Sequence, residues 1–330
     1  MNKEDLKIVF FGTPDFAVES LDMLCRNGYN VAAVVTMPDK PAGRGHKMLH
    51  SAVKEYALAH GLPLLQPVRL KDEEFVGELR RIGADLFIVI AFRMLPEVVW
   101  AMPRLGTFNL HASLLPKYRG AAPINWAVIN GETETGVTTF FLKHEIDTGD
   151  VIRQERISID PDENVGSVHD RLMRLGAELT ADTVAHIIAG DLKPVPQSEL
   201  EAGVEPVPAP KIFKDTCRVD WSRPAAQLHN FVRGLSPYPC AWTDFVLADG
   251  TTVASVKIGR ARVASGKSAP AQGHVEIGKD SIVVGCGDGT ALELLEIQPA
   301  GKKMMDTAGF CRGFRAPADE AGKPLEVFAK

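Results

Sequence analysis

Short, unbroken apolar runs alternate with segments of helical length in the first half of the chain. This alternation limits the possible folds more than any other feature. Runs without polar alternation are typical of strands buried on both faces of a sheet. Strands separated by helices form parallel βαβ units. The pattern therefore predicts an α/β fold with a doubly wound, mostly parallel, Rossmann-like sheet. The clearest runs are Lys7–Gly12, Val31–Val35 and Asp85–Ala91.

A proline-rich stretch follows this half of the chain. Residues 190–210 contain Pro194, Pro196, Pro206, Pro208 and Pro210, a density that favours an extended interdomain linker. We therefore expect one domain over residues 1–189, a linker over 190–210 and a second domain over 211–330.

The second domain has a different pattern, in which short strands are separated by glycines. Such spacing predicts a small antiparallel β-barrel. The predicted strands are Cys240–Phe245, Val253–Ile258, Gly273–Ile277, Ser281–Val284 and Ala291–Ile297.

Composition narrows the class of protein. No apolar run approaches the roughly 20 residues of a membrane helix, and the start of the chain has neither a signal-peptide nor a transit-peptide pattern. The five cysteines are scattered without a CxxC pair, which argues against a zinc ribbon or a disulfide scaffold. We therefore expect a cytoplasmic protein without a membrane span.

Charge is distributed unevenly along the chain. Residues 206–330 carry 16 Lys and Arg against 13 Asp and Glu, although the whole chain has a net charge of −5. A mildly basic second domain is compatible with a polyanionic partner, and equally with chance variation.

A carboxamide and an imidazole lie two residues apart near the end of a further predicted strand. Asn109 and His111 alternate with apolar residues, so both side chains point to one face. An imidazole exchanges a proton near neutral pH, and an amide can donate to a developing oxyanion. The pair is therefore a candidate active site, or a hydrogen-bonded polar pair at a sheet edge.

A second candidate is the segment Asp147-Thr148-Gly149-Asp150, which follows another predicted strand. Asp and Gly are common turn residues, so a hairpin turn explains the pattern. Alternatively, Asp147 directs its carboxylate into the same cleft as His111.

Motifs for other chemistries are absent. Gly12-Thr13-Pro14-Asp15 lacks the GxGxxG spacing, and the chain has no GxxxxGK[ST], so no nucleotide cofactor is expected. Ser113 lies outside a GxSxG elbow. None of the nine histidines forms HExxH or pairs with cysteine at zinc spacing, so no metal is expected.

The segment Thr36–Leu49 is predicted to be a loop, longer than the roughly 2–6 residues of an ordinary strand–helix connection. It carries Lys40, Arg44, His46 and Lys47 among glycines and prolines. Such a loop could order on a phosphate backbone or remain a solvated surface loop.

Taken together, these motifs resemble the formyltransferases that use 10-formyltetrahydrofolate, and among them the members that act on methionyl-tRNA. The first set comprises Asn109-Leu110-His111, Ser113-Leu114-Leu115-Pro116, Arg119–Pro123 and Asp147–Asp150. The second set comprises Phe11–Ala17, Pro38–Gly45, Lys211-Ile212 and Asp220-Trp221. The resemblance spans nearly the whole chain.

The resemblance implies a formyltransferase domain over 1–189 and a tRNA-binding, OB-like barrel over 211–330. It also implies transfer of a formyl group from 10-formyltetrahydrofolate to methionyl-initiator tRNA in translation initiation, by a chain expected to be monomeric. The implied catalytic residues are Asn109, His111 and Asp147. The implied folate-binding residues are Ser113, Leu114, Leu115, Pro116 and Phe92. The implied tRNA-binding residues are Lys40, Arg44, Lys47 and Lys211.

This chain departs from the family pattern beside these residues. Phe92-Arg93 stands where the family often has Tyr-Gly, and Ala112 replaces a frequent glycine. Arg93 borders the implied folate pocket, so its effect there is an open question.

Two other functions are compatible with the motifs. One is folate-dependent formylation of a small amine, such as a sugar nucleotide or glycinamide ribonucleotide; the second domain and the basic loop favour tRNA over these. The other is a non-catalytic RNA-binding protein on a degenerate scaffold, against which the intact Asn109, His111 and Asp147 argue.

Overall fold

The structure is a computed structural model that describes residues 2–42, 47–201, 204–266, 269–315, 317–318 and 325–330. The chain forms two compact units, each assembled from separate segments. Unit 1 comprises Met1–Pro123, Glu134–Ser158 and His169–Ala209, and unit 2 comprises Ile124–Thr133, Ile159–Val168 and Pro210–Lys330. The boundaries expected at 189 and 211 stay a prediction.

Unit 1 is built around strands that alternate with helices. The strands are β1 (Lys7–Gly12), β2 (Asn30–Val35), β3 (Lys40–Ala42), β4 (Lys47–Leu49), β5 (Leu64–Leu65), β6 (Leu86–Ile90), β7 (Thr107–His111), β8 (Arg119–Gly120), β9 (Glu134–Phe141), β10 (Val151–Ser158) and β11 (Pro208–Ala209). The helices along the same part of the chain are α1 (Asp15–Arg26), α2 (Ala52–Ala59), α3 (Glu73–Ile82), α4 (Glu97–Trp100), α5 (Pro123–Ile129), α6 (Val165–Ala189) and α7 (Gln197–Leu200).

Seven of these strands form one sheet in the order β10-β9-β7-β6-β1-β2-β5. The five strands from β7 to β5 pair in parallel. β9 is antiparallel to β7 and β10 is antiparallel to β9. The doubly wound, mostly parallel sheet predicted from the apolar runs is confirmed.

The two faces of the sheet pack against different helices. On one face, Val89 of β6 belongs to a core cluster with Phe75 and Leu79 of α3. On the other face, Leu110 of β7 contacts α6, where a Cβ on Gly176 would lie 2.7 Å from Leu110 Cδ2. The small residue therefore lets α6 approach β7 closely, next to the end of the strand that carries His111.

Two segments of unit 1 are more structured than the sequence predicted. β3 and β4 form an antiparallel hairpin within the predicted loop Thr36–Leu49. The stretch 190–210, predicted to be extended, contains α7 and the short strand β11, which pairs in parallel with β8. The pairing of β11 with β8 joins residues almost 90 positions apart, which local composition does not reveal, whereas β3 and β4 are neighbours within one segment.

Unit 2 contains the second set of strands and two further helices. These elements are α8 (Ala225–Leu235), β12 (Ala241–Val246), β13 (Thr252–Val263), β14 (His274–Ile277), β15 (Ile282–Gly285), β16 (Ala291–Pro299), β17 (Met305–Asp306), α9 (Thr307–Gly313) and β18 (Val327–Ala329), preceded by a 3₁₀ turn over Asp215–Cys217.

Six of these strands close into an antiparallel barrel in the order β13-β12-β18-β14-β15-β16, because β16 pairs back to β13. The barrel core is apolar and includes Phe245, Ile258 and Leu294, all fully buried. Ile129 from the inserted segment 124–133 packs into the same core. The predicted C-terminal barrel is confirmed, and its strand β18 was missed by the sequence pattern.

Within the described ranges, no helix combines the length and the apolar character needed to cross a membrane.

Candidate active site

The end of β7 carries the two polar residues that the strand pattern singled out. Asn109 and His111 follow Thr107 at alternate positions, so all three side chains lie on one face of the sheet. Asn109 is half-buried, and the His111 side chain is 9% exposed. A carboxamide and an imidazole are thus held near one another on a rigid strand.

One ring nitrogen of His111 is hydrogen-bonded to the protein backbone. Its Nε2 lies 2.9 Å from the backbone oxygen of Tyr118. A carbonyl oxygen only accepts hydrogen bonds, so Nε2 must carry a proton and donate it. Nδ1 is therefore the nitrogen whose proton can change, and its environment determines what His111 can do.

Asp147 faces that second nitrogen. Its Oδ2 lies 3.9 Å from His111 Nδ1, which is too long for a direct hydrogen bond. The same Oδ2 accepts a hydrogen bond from the backbone N–H of Gly120 at 3.0 Å. The structure thus brings His111 and Asp147 together, with the Asp147 carboxylate facing Nδ1 without a direct hydrogen bond.

The backbone of Asp147 is in the left-handed region, with φ of 56°. This conformation is unfavourable for a residue with a Cβ and is often found at functional sites. The adjacent turn is tightly fitted, because a Cβ on Gly149 would lie only 1.5 Å from the backbone oxygen of Phe141. Glycine is required there, so the predicted turn 147–150 depends on this close approach of two backbones.

The loop Ser113–Pro116 is held in shape by hydrogen bonds to its own backbone and to β9. The Ser113 hydroxyl donates to the backbone oxygen of Lys117 at 2.8 Å, and Thr138 Oγ1 donates to the backbone oxygen of Ser113 at 2.6 Å. Ser113, Leu115 and Pro116 are buried, and Leu114 is half-buried. The Ser113 side chain therefore shapes the loop from within.

Phe92 lies just beyond the end of β6. Its ring is 5.7 Å from the ring of Phe11 at the end of β1, so it forms part of the unit 1 core as well as its edge. The preceding Ala91 has φ of 46°, a second left-handed backbone near the strand ends.

Arg93 ties this strand end to a neighbouring loop. Its guanidinium donates to the backbone oxygen of Val68 at 2.8 Å and to that of Pro67. Burial lowers the pKa of Arg93. The side chain also contributes to the wall of an open cleft of about 490 Å³, together with Leu70 and Glu97.

Comparison with known proteins assigns this arrangement to a family. The formyl transferase family model matches residues 6–184, and the model of the formyl transferase C-terminal domain matches residues 211–315. A methionyl-tRNA formyltransferase of Bacteroides fragilis is 59% identical over 315 residues, covering 95% of this chain and 97% of the relative. The chain belongs to the formyl transferase family.

Solved structures agree with this assignment in fold. An N-formyltransferase from Helicobacter canadensis in complex with folinic acid and dTDP-3-aminofucose gives a TM-score of 0.63 at 19% identity, covering 89% of this chain and 99% of that one. HypX from Aquifex aeolicus in complex with tetrahydrofolic acid gives a TM-score of 0.60 at 20% identity, covering 92% of this chain and 46% of that one.

Within this formyltransferase, the residues predicted to bind tRNA lie apart from the His111–Asp147 pair in sequence. Lys40 is exposed at the start of β3, and Lys47 begins β4. Lys211 is exposed in unit 2, with Nζ 5.5 Å from the centre of the Phe213 ring, which is itself 61% exposed. Arg44 lies outside the described residues.

In the described part of the formyltransferase, no group of three or more His, Cys, Asp or Glu side chains is placed to hold a metal ion.

Three residues that support the site were not predicted from the sequence to be site residues. Tyr118 has φ of 62° and presents its carbonyl to His111. Arg119 donates from Nε to the backbone oxygen of Asp147 at 3.2 Å, and Gln197 donates to the same oxygen at 2.8 Å. Arg119 belongs to a motif that resembles the family, but nothing local to Gln197 indicates its partners 50 residues away.

Proposed function

We propose that this chain transfers the formyl group of 10-formyltetrahydrofolate to the free amino group of methionyl-initiator tRNA, giving N-formylmethionyl-tRNA. The observation that carries the proposal is the 59% identity to a methionyl-tRNA formyltransferase along almost the whole of both chains. The His111–Asp147 pair at the carboxyl edge of the sheet supports it with suitable chemistry.

The reaction is an acyl transfer through a tetrahedral intermediate. The amine nitrogen forms a bond to the formyl carbon, and the bond from that carbon to N10 of the folate breaks. The amine loses one proton and N10 gains one, so the transfer is balanced without a further reactant. The site must therefore move a proton and stabilise an oxyanion.

His111 and Asp147 carry out the proton transfer in this proposal. His111 Nε2 already donates its proton to the backbone oxygen of Tyr118. The amine proton therefore passes to His111 Nδ1 or to the Asp147 carboxylate, whose Oδ2 lies 3.9 Å from Nδ1. The same proton can then be delivered to N10 as it leaves.

Asn109 stabilises the oxyanion. Its carboxamide has two N–H donors and lies on the same strand face as His111. One such donor is typically worth about 10²–10³ in rate. No covalent enzyme intermediate is required, because the amine attacks the formyl carbon directly.

The folate co-substrate occupies the strand ends between the loop Ser113–Pro116 and Phe92. Leu114 and Phe92 are only half-buried, so they can contact the ligand. Ser113, Leu115 and Pro116 are buried and act by holding the loop in shape. Arg93 acts on the same edge by fixing Phe92 relative to residues 67 and 68.

The tRNA contacts Lys40, Arg44 and Lys47 of unit 1 and Lys211 of unit 2. Basic side chains neutralise phosphates, and an exposed aromatic ring such as Phe213 can stack on an unpaired base. The enzyme works as a cytoplasmic monomer in translation initiation.

A transfer assay with matched acceptors tests the proposal. The purified chain is incubated with 10-formyltetrahydrofolate and methionyl-initiator tRNA, uncharged initiator tRNA, free methionine, glycinamide ribonucleotide or a dTDP-amino sugar. We expect formylation of the charged tRNA alone. Preferential formylation of a small amine would identify a different member of the family. Transfer to no acceptor would favour the RNA-binding alternative.

A further inference from the structure

The stretch that follows α6 is fixed to unit 1 on both sides of Gln197. Before it, Val195 and Val151 exchange two backbone hydrogen bonds, each of 2.8 Å. After it, the Tyr118 N–H donates to the backbone oxygen of Val207 at 2.6 Å, and β11 pairs with β8. Gln197 is therefore held in place by backbone contacts that do not depend on its own side chain.

The side chain of Gln197 is 3% exposed and fully hydrogen-bonded. Its Nε2 donates to the backbone oxygens of Asp147 and Gly149, both at 2.8 Å. Its Oε1 accepts from Arg119 Nε at 3.0 Å and from Arg119 Nη2 at 2.6 Å. Two acceptors on one side and a cation on the other allow only this orientation of the amide.

These contacts converge on the strained turn that carries Asp147. The left-handed backbone of Asp147, with φ of 56°, needs surrounding structure to hold it. Gln197 donates hydrogen bonds to the carbonyls of Asp147 and Gly149, so it fixes the turn on both sides of Thr148. Arg119 donates a further hydrogen bond to the Asp147 carbonyl, and its Nη2 donates to Glu201 Oε1 at 2.7 Å.

We propose that Gln197 is a positioning residue, which holds the Asp147 carboxylate at its working distance from His111 Nδ1. The inference rests on the proposed function, because it assigns Gln197 a role in the same transfer. It also gives the stretch 195–209 a part in catalysis beyond joining two domains.

Gln197→Glu is the most informative variant. It keeps the size of the side chain and an oxygen for Arg119, but it replaces the two N–H donors with an oxygen facing two carbonyl oxygens. The turn should be released. Since a misplacement of about 1 Å can cost about 10²-fold in rate, we expect kcat to fall about 10- to 100-fold. KM for methionyl-tRNA should stay within about twofold, because Gln197 is buried and is not among the proposed tRNA contacts.

Ser198→Asp is the matched control. It adds the same negative charge one residue away, on an exposed side chain. Gln197→Met is the second variant, which removes the donors without adding repulsion and serves if Gln197→Glu does not fold. The expected order of kcat is wild type and Ser198→Asp, then Gln197→Met, then Gln197→Glu, with thermal midpoints close to one another.

The inference is overturned if both Gln197 variants retain kcat within twofold of wild type. It is also overturned if Ser198→Asp loses as much as Gln197→Glu, or if the losses appear in KM alone. These results differ from failure of the proposed function, in which the wild-type chain itself would not formylate methionyl-tRNA.

Discussion

The carboxyl edge of the unit 1 sheet and the barrel of unit 2 are stabilised in different ways. In the described residues, three of the four non-glycine residues with positive φ are in unit 1, namely Ala91, Tyr118 and Asp147, and each adjoins or belongs to the candidate site. The fourth, Cys240, is in unit 2. Around His111 and Asp147, buried polar bonds to backbone carbonyls and amides fix the geometry, whereas the barrel has a continuous apolar core.

This difference indicates where each unit tolerates change. Unfavourable backbone conformations persist only where surrounding contacts over-determine them, and they concentrate at functional sites. An apolar core depends on volume and burial instead. Substitutions at the strand ends should therefore reduce turnover before they reduce stability, and substitutions in the barrel should do the reverse.

The largest expected effect is on turnover in His111→Ala. Removing the imidazole removes the ring nitrogen that faces Asp147, and general acid–base catalysis typically contributes about 10²–10⁴-fold. We expect kcat to fall by at least about 10²-fold. Folate binding, measured by titration calorimetry with folinic acid, should persist.

His60→Ala is the control, because His60 is an exposed residue at the end of α2. Wild-type turnover in His111→Ala would show that the His111–Asp147 pair is not catalytic. Loss of folding in that variant would instead assign His111 a structural role.

Two glycines give a matched test of the two units. A Cβ on Gly149 would lie 1.5 Å from the backbone oxygen of Phe141, and a Cβ on Gly287 would lie 1.7 Å from that of Ser222. Gly149→Ala should displace the Asp147 turn and lower kcat about 10²-fold. Gly287→Ala should destabilise unit 2 by about 1–3 kcal/mol, since small-to-large changes at packed positions typically cost that much.

Steady-state kinetics and urea unfolding of both glycine variants check this contrast. Equal losses of stability with no separation in kcat would mean that the Asp147 turn has no special functional strain. A large loss of kcat in Gly287→Ala at unchanged stability would contradict the expectation that substitutions in unit 2 reduce stability first.

The sequence was informative wherever a structure depends on local pattern. The apolar runs around Phe10 and Ile88 predicted the parallel strands β1 and β6. The alternation around Asn109 and His111 predicted that both side chains share a strand face, and Asp147 was singled out as a candidate partner of His111.

Features that depend on distant partners could not be predicted. Gln197 lies in a proline-rich stretch, and only the fold places its amide beside Asp147. The insertion of residues 124–133 and 159–168 into unit 2 likewise depends on packing, such as that of Ile129 in the barrel core. Folding brings such residues together without any local periodicity to mark them.

A smaller effect is expected from one lysine of each unit. Lys40→Ala and Lys211→Ala should each raise KM for methionyl-tRNA several-fold, because each removes one proposed phosphate contact. Each should also flatten the dependence of log KM on log salt by about one ion. Lys193→Ala, at another exposed position, is the control. A change in only one of the two variants would confine the tRNA contact to that unit, and no change in either would remove both residues from the interface.

The smallest expected effect is a pH dependence confined to unit 2. Burial lowers the pKa of His229, and the nearby Arg233 lowers it further, while Asp162 at 3.4 Å from Nε2 acts in the opposite direction. With a folded pKa below the unfolded value of about 6.5, the unfolded state binds more protons as pH falls through this range. The stability of unit 2 should therefore decline as pH drops below about 6.5 and level off above it. His229→Gln should flatten that part of the curve of stability against pH.

Tryptophan fluorescence can follow the unfolding of unit 2. Three of the four tryptophans, Trp126, Trp221 and Trp242, lie in unit 2, so urea unfolding in a Trp100→Phe background reports on this unit. A pH dependence that is the same with and without His229 would show that its burial does not couple protonation to the folding of the barrel.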